Sequence, residues 1–427
     1  MRILFATMQY GRGYTQGTER YLSILTNGLR EAGCETTILG GDPDGRGEQT
    51  ELGAVVSRSP RVLHYPSGGW MAVRGLPAEQ VLPLLKQLRP DVLHVANPAH
   101  IGLGIVEAGQ RLRIPVVATV MDYWWVCPKQ TLRHFQRGVC DAKVGYRECV
   151  RCIADERDES LRRKLANLPV LGAAVLPTVY FARWRSRGVP ADEIDRWRNR
   201  QTWIAHAMRA ADAVICPSRT AREIVAARFD GPRIVSIPYG LEPHWFASRA
   251  DRSRSSGPMD PANLTIGYAG ALAPHKGVHL ILDAVGRLRW KQTRVRIAGS
   301  GEDAYVGKLQ SLAAGMRVEF VGRVAPEDMP AFMRTCDVMI VPSLWPENLP
   351  IAVLEACAAG VPVLASRVGG IVEVLDEPNM TFEAGSSAAL AERLSGWASA
   401  PISAPQGKVC TAAEMVQHTL ALYRELV

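Results

Sequence analysis

Short β-branched runs alternate with helix-length segments through nearly all of this sequence, and that alternation limits the possible folds more than any other feature. "RILFAT" is followed by a glycine-rich loop and then by Thr18 to Ala32, where Leu22, Leu25, Leu29 and Ala32 share one helical face and Gly33 supplies a stop. "TTILGG", "DVLHVA", "PVVATVM", "AVICPS" and "RIVSIP" recur at the spacing of βαβ units, which predicts a parallel sheet covered by helices. Between Phe246 and Asn263 the chain turns polar and loses its period ("ASRADRSRSSGPMDPAN"), as a linker does. The alternation then restarts with "TIGYAG", "VRIAGSG", "VEFVG", "VMIVPS" and "PVLAS", with helices expected from Gly277, Asp303, Pro326, Pro350 and Ser386. The expected architecture is α/β, with two doubly wound Rossmann-like domains. Residues 1–245 form the first, 246–262 a linker, 263–409 the second, and 410–427 a final helical segment that packs back on one of them. A length of 427 residues with 47% hydrophobic content suits two cores of this size better than one.

Charged residues make up 22% of the chain and are mixed in sign, which argues against extended disorder. The net charge of +8 favours polyanions, phosphorylated ligands or an anionic membrane surface, although a solvated basic exterior gives the same number. "MRILFAT" runs directly into the first strand, and "LPVLGAAVLP" is too short and too proline-punctuated to span a bilayer, so a cytoplasmic protein is expected. In that compartment most of the nine cysteines are expected to be reduced, buried or metal-bound.

Doubly wound domains bind ligands at the carboxyl ends of their strands, so the loops after strands carry the functional candidates. One of them, "WPENLPIAVLEACAAG", sets Glu347 and Glu355 eight residues apart. Pro350 suits the first turn of a helix over Ile351 to Ala359, closed by Gly360 and Pro362. The free amides and positive dipole end of such a helix suit phosphate. A carboxylate is repelled by phosphate, so acids in this place are better employed accepting hydrogen bonds from sugar hydroxyls. The pattern therefore points to a sugar nucleotide gripped from its two sugar ends. Singly, each residue has a plainer meaning: Glu347 as a charge complementing a helix dipole, Glu355 and Lys276 as solvated side chains, Gly17 as a turn. "DPD" at 42–44 reads as a turn rather than a metal-binding Asp-x-Asp.

The segment from Glu347 to Glu355 resembles the Glu-x7-Glu motif of retaining glycosyltransferases of the GT-B fold, family 4. The likeness extends to "GYAGALAPHKGVHLILDAVGRL", "VRIAGSG" and "RVEFVGRV" with "MPAFMRTCDVMIVPS" in the second half. In the first half it takes in "GTERYLSILTNGLREAG", "RPDVLHV", "PVVATVMDYWWVCPK" and "RIVSIPYGLEPHWF", in family order. The resemblance implies that Glu355 binds the donor ribose, Glu347 approaches the donor sugar, Asn348 and Leu349 offer backbone amides, and Lys276 binds the diphosphate. Gly17 matches the N-terminal glycine loop, where sugar and acceptor come close. Glu347 and Lys276 are thus the catalytic candidates, with no metal needed for transfer. The implied donors are UDP-, GDP- or dTDP-sugars, and the acceptor is a hydroxyl on a glycan, lipid-linked or small molecule. Two positions depart from the family pattern: Ala271 stands where an arginine is usual, and Met121 where a histidine is common.

Cys127, Cys140, Cys149 and Cys152 crowd into 26 residues and end in Cys-x2-Cys. Four thiolates at this spacing can close a tetrahedral structural zinc site, an iron–sulfur cluster uses the same ligands, and four reduced cysteines is the plain alternative. A closed site of this kind would brace a loop on the acceptor side, with His134 beside it as a surface residue. From Arg157 to Arg200 basic residues interleave with "LPVLGAAVLPTVYFARW", which reads either as a basic amphipathic surface for peripheral contact with the inner membrane face or as core helices with solvated arginines. Two other functions fit less of the sequence: a sugar-nucleotide 2-epimerase of the same fold, and a non-catalytic scaffold or nucleic-acid-binding protein. The arginine-and-aromatic interleaving of a nucleic-acid reader is absent, so no nucleic acid partner is expected.

Overall fold

β1 (Arg2–Thr7), β4 (Val92–Val95), β5 (Val116–Thr119) and β8 (Ala213–Cys216) lie side by side, almost wholly buried, and their unbroken apolar runs follow from helices covering both faces of a parallel sheet. β2 (Glu35–Asp42), β3 (Arg61–Pro66) and β9 (Ile234–Ser236) complete seven strands in the order β3-β2-β1-β4-β5-β8-β9, all paired in parallel. β6 (Arg133–His134) and β7 (Gly138–Val139) form a separate antiparallel hairpin. The computed structural model describes all residues except 9, 11–16, 43–60, 67–72, 74, 137, 142, 158–164, 187, 190, 247–259, 376 and 400–408.

A second parallel sheet holds β10 (Thr265–Ala269), β11 (Arg294–Ala298), β12 (Arg317–Gly322), β13 (Val338–Val341), β14 (Val363–Ser366) and β15 (Thr381–Phe382), in the order β12-β11-β10-β13-β14-β15. Both sheets begin in the middle and wind outward first one way and then the other, so each has a point where the winding reverses: β1 beside β4, and β10 beside β13. The expected two doubly wound domains are therefore present. β3 and β15 lie at sheet edges and were not foreseen, and β15 has only two residues, too few to show a period.

The chain divides into one unit made of Met1–Pro238 with Ala413–Val427 and another made of Tyr239–Ala412. The first division thus falls at 238/239 rather than at 245, and the segment expected at 410–427 supplies a helix, Ala412–Leu426, that belongs almost entirely to the first unit. Of the expected linker 246–262, residues 247–259 lie outside the described residues, as do residues 43 and 44 of "DPD" and 158–164 of the basic stretch. Among the described residues no helix is long and apolar enough to cross a membrane.

The C-terminal helix is fixed by a polar contact in the first core. His94 on β4 is completely buried, and its ring hydrogen-bonds the Tyr423 hydroxyl through Nδ1 and Thr119 Oγ1 on β5 through Nε2 at 2.6 Å. Burial lowers the His94 pKa to about 3, so the imidazole is neutral and offers one donor and one acceptor to two hydroxyls. Gly28 permits the accompanying close approach, because a Cβ there would lie 2.5 Å from Val416 Cγ2. Tyr423→Phe, which leaves a buried ring nitrogen without its partner, is expected to destabilise the first unit by about 1–3 kcal/mol. Denaturant unfolding of the variant measures this loss.

Candidate functional site

The second unit brings its chemistry together where the winding of its sheet reverses. The loop after β10 carries Ala271, His275 and Lys276, and the loop after β13 carries Ser343 to Leu349. Because β10 and β13 are adjacent and parallel, both loops emerge at the same edge of the sheet. They are stitched together by the backbone: the Leu344 N–H donates to His275 O at 2.8 Å, and Gly277 passes so near Pro342 O that a Cβ would lie 2.0 Å from it. Gly277 has φ +72°, a second reason for glycine. The loop after β11 joins the same layer, with the Leu272 N–H donating to Ser300 O at 2.9 Å.

Glu347 is the centre of this arrangement and is only 6% exposed. Its Oε1 accepts from Lys276 Nζ at 2.7 Å, Ser343 Oγ at 2.6 Å and Trp345 Nε1 at 2.7 Å. A buried carboxylate needs such partners, since an unpaired charge in this setting costs several kcal/mol. Lys276 Nζ also lies 4.8 Å from the centre of the Trp345 ring, and His275 meets the same ring edge-on at 5.9 Å. The lysine is thus held by an acid and an aromatic face at once. Burial and the nearby Glu347 charge both push the Tyr268 phenol up, so it stays protonated and donates to Ala271 O at 2.8 Å. Ala271 itself is exposed and adds no cation to the loop.

Two helices begin at this edge, Val278–Leu288 and Ile351–Ala358, with Gly277 and Pro350 as N-caps. Neither cap gives a side-chain hydrogen bond, so the first N–H groups of each helix keep their capacity for an anion. Pro350 sits at the cap, one place before the expected first turn. Asn348, Leu349 and Glu355 are all buried, the glutamate in the second turn of the helix that Pro350 opens. Of the six candidates, Lys276, Glu347, Asn348, Leu349 and Glu355 therefore lie in one unit, on two neighbouring loops and the helix that follows. Gly17 is exposed and opens the helix Gly17–Glu31 of the first unit, rather than lying in the loop before it.

Three contributors escaped the sequence reading. Ser343 and Trp345 precede Glu347 by four and two residues, and a serine and a tryptophan in a strand-following loop were the available signal. Gly369, after β14, has φ +53° and packs on the Glu347 peptide, where a Cβ would sit 2.3 Å from Glu347 O, while the neighbouring Gly370 N–H donates to that same oxygen at 2.7 Å.

In the first unit, Met121 follows β5 and is half-buried. Beside it Asp122 accepts from the Trp124 N–H at 2.7 Å and from Asn97 Nδ2 at 2.9 Å. Burial raises the Asp122 pKa to about 6. Arg200 is buried behind this loop, bonded to Trp124 O with its guanidinium 4.5 Å from the Trp124 ring centre, and burial lowers its pKa to about 10.

Among the described residues, which include Cys127, Cys140, Cys149 and Cys152, no three His, Cys, Asp or Glu side chains are grouped so as to hold a metal ion, so this arrangement gives the expected zinc or iron–sulfur site no support. Burial, and then repulsion from the neighbouring cysteines, pushes the Cys149 thiol up, and burial raises Cys152 to about 11 and also raises Cys127. His134, expected at the surface, is instead buried and bonded through Nε2 to Glu148 Oε1 at 3.0 Å.

Comparison with known proteins agrees with this architecture. The model for Glycosyltransferase Family 4 matches residues 15–154, and the model for glycosyl transferases group 1 matches 250–406. The chain has the GT-B fold, and its two halves match the two glycosyltransferase domain models. A GDP-mannose-dependent alpha-mannosyltransferase of Mycobacterium tuberculosis is 26% identical over 346 residues, 80% of this chain and 73% of that protein. An uncharacterized glycosyltransferase of Methanocaldococcus jannaschii is 30% identical over 173 residues, 38% of this chain and 44% of its own length, so the GT-B chain spans less than half of that relative. The solved structure of Anabaena HepE with UDP and glucose covers both chains completely at a TM-score of 0.61 and 17% identity, and shares the fold.

Gly369→Ala tests the packing around Glu347. The variant is expected to lower the stability of the second unit by about 1–3 kcal/mol through its left-handed backbone and collision with Glu347 O. A melting curve unchanged within one degree would show that this contact does not constrain the loop.

Proposed function

We propose that this protein is a retaining glycosyltransferase that moves a sugar from a nucleoside-diphosphate sugar to a hydroxyl acceptor in glycan or glycoconjugate assembly. The observation that carries the reading is the Lys276–Glu347 pair, at 2.7 Å, beside two helix N-termini without side-chain caps. The hard step in glycosyl transfer is departure of a nucleoside diphosphate from an oxocarbenium-like carbon. A lysine and helix amides placed at the leaving phosphates stabilise the charge that develops, an effect typically worth a few kcal/mol of barrier for each donor. Lys276 takes that role, with the N–H groups at the start of the helices after Gly277 and Pro350 standing in for the cation that Ala271 lacks.

Glu355 accepts hydrogen bonds from the donor ribose, and Asn348 and Leu349 present amides to the sugar or phosphate. Glu347 keeps Lys276 aligned through Oε1 and faces the donor sugar. Gly17 supports the substrate side of the first unit. Met121 makes no strong hydrogen bond to a sugar hydroxyl, so the transferred sugar is one that does not require it. No side chain among the candidates is placed as a nucleophile, and the reading is transfer on the face from which the phosphate leaves, with retained configuration. The mannosyltransferase relative is named for a GDP-sugar and the HepE structure for UDP, so the base is open between them.

Calorimetric titration with UDP, GDP and dTDP tests the donor site. One nucleotide is expected to bind in the micromolar range, with at least tenfold loss in Glu355→Ala and in Lys276→Ala. Failure of all three to bind the intact protein removes the donor reading, and an inverted anomeric product by NMR removes retention.

Zinc at Cys127, Cys140, Cys149 and Cys152 is part of the same proposal. It is supported by the backbone N–H groups of Lys129 and Leu132 directed at Cys127 sulfur and of Phe135 at Cys152, and by the charge of Arg200 near Cys127 and Cys149. Donors and a buried cation of this kind offset the negative charge of a thiolate site. Elemental analysis of protein grown with zinc is expected to find one zinc per chain, released when the thiols are blocked. Metal-free protein with all nine thiols titrating refutes it.

A further inference from the structure

The helix Pro169–Ser186 of the first unit is apolar on both sides. One side is packed: Leu176 and Phe181 are buried, and Phe181 lies between Tyr146 at 6.1 Å and Trp197 at 5.6 Å. The other side is exposed among the described residues of this unit. Leu171, Val175 and Val179 form a stripe at helical spacing and are 56%, 40% and 50% exposed, with Leu168 and Val170 at its near end 45% and 80% exposed. These are five of the ten large hydrophobic side chains that stand exposed among the described residues, gathered between Leu168 and Val179. Scattered exposed apolar residues are ordinary, but a contiguous patch marks a contact surface.

Charge identifies what covers it. In the sequence the apolar stretch is bracketed by Arg162, Arg163 and Lys164 on one side and Arg183, Arg185 and Arg187 on the other, with no acidic residue from Ser160 to Pro190. A groove of about 430 Å³ opens beside the stripe, lined by Arg147, Arg185 and Arg198 together with Tyr146, Thr178 and Phe181. Asp195, also on its wall, is engaged by Arg198 at 3.0 Å. An apolar face with Arg183 and Arg185 at one end and an arginine-lined groove alongside is complementary to a surface whose interior is hydrocarbon and whose edge is anionic. A protein partner matching this face would need an equally long apolar stripe rimmed by acids.

We infer that the helix Pro169–Ser186 docks this enzyme on an anionic lipid bilayer, with Leu171, Val175 and Val179 entering the boundary between headgroups and acyl chains and the flanking arginines meeting lipid phosphates. The docking is peripheral, since the helix is not apolar enough to cross a membrane. It stands independently of the donor-site reading, because none of its residues belongs to that site.

Co-sedimentation of the full chain with vesicles of phosphatidylglycerol and phosphatidylcholine, against vesicles of phosphatidylcholine alone, tests it. The wild type is expected to pellet with the anionic vesicles at low salt and to be released by high salt. Leu171→Ser/Val175→Ser/Val179→Ser is expected to lose binding at least tenfold, and Arg183→Gln/Arg185→Gln to bind more weakly with a shallower salt dependence. Both variants change exposed side chains, and an unchanged melting temperature shows that the fold is intact. Wild-type protein remaining in the supernatant with anionic vesicles overturns the inference, as does equal pelleting of the triple serine variant. A wild-type dimer by light scattering that becomes a monomer in the triple serine variant also overturns it, by assigning the face to a second copy of the chain.

Discussion

A carboxylate enclosed by protein must be given hydrogen-bond donors, and at Glu347 this requirement organises the loops of an entire sheet edge. Three donors converge on its Oε1 from the loops after β10 and β13, while its backbone oxygen receives the Gly370 N–H from the loop after β14. Tight backbone approaches at Gly277 and Gly369 allow these loops to meet without side chains between them. The lysine that balances the acid is thereby fixed over the Trp345 ring, beside two helix N-termini able to receive an anion. The result is a region rich in aligned donors, in which a developing negative charge is better served than in water because the donors are already oriented.

The first unit meets the same demand for satisfied buried polar groups with different parts. His94 is buried neutral and is served by a hydroxyl from β5 and another from the C-terminal helix, which makes that helix part of a core more than three hundred residues distant in sequence. Arg200 is accommodated by a carbonyl and an indole face rather than by a close carboxylate. Its charge lies near Cys127, Cys149 and Asp122.

Much of the fold was legible because parallel, doubly covered strands are nearly continuous apolar runs. β4, β5, β8, β13 and β14 are each four residues long and fully buried, and each lies within a run identified from composition alone. The edge strand β15 was missed because two residues carry no period, and β3 was not among the runs read as strands. In the candidate site, Glu347 and Glu355 were legible from one segment, since a proline-opened helix after a strand has a known orientation, while Asn348 and Leu349 came from the family resemblance. Ser343, Trp345 and Gly369 were not, because their importance lies in which atom of Glu347 they approach.

The sequence by itself determined the two doubly wound sheets and the segments whose loops hold the chemistry, because hydrophobic period and helix punctuation are local properties of a chain. Tertiary structure alone decided that Lys276 and Glu347, seventy-one residues apart, form an ion pair, and that the C-terminal helix completes the first core. It also decided that Leu171, Val175 and Val179 of the helix Pro169–Ser186 stand exposed. Those outcomes depend on which side chains meet across elements and which meet nothing, and a sequence pattern gives the faces of a helix without saying what covers them.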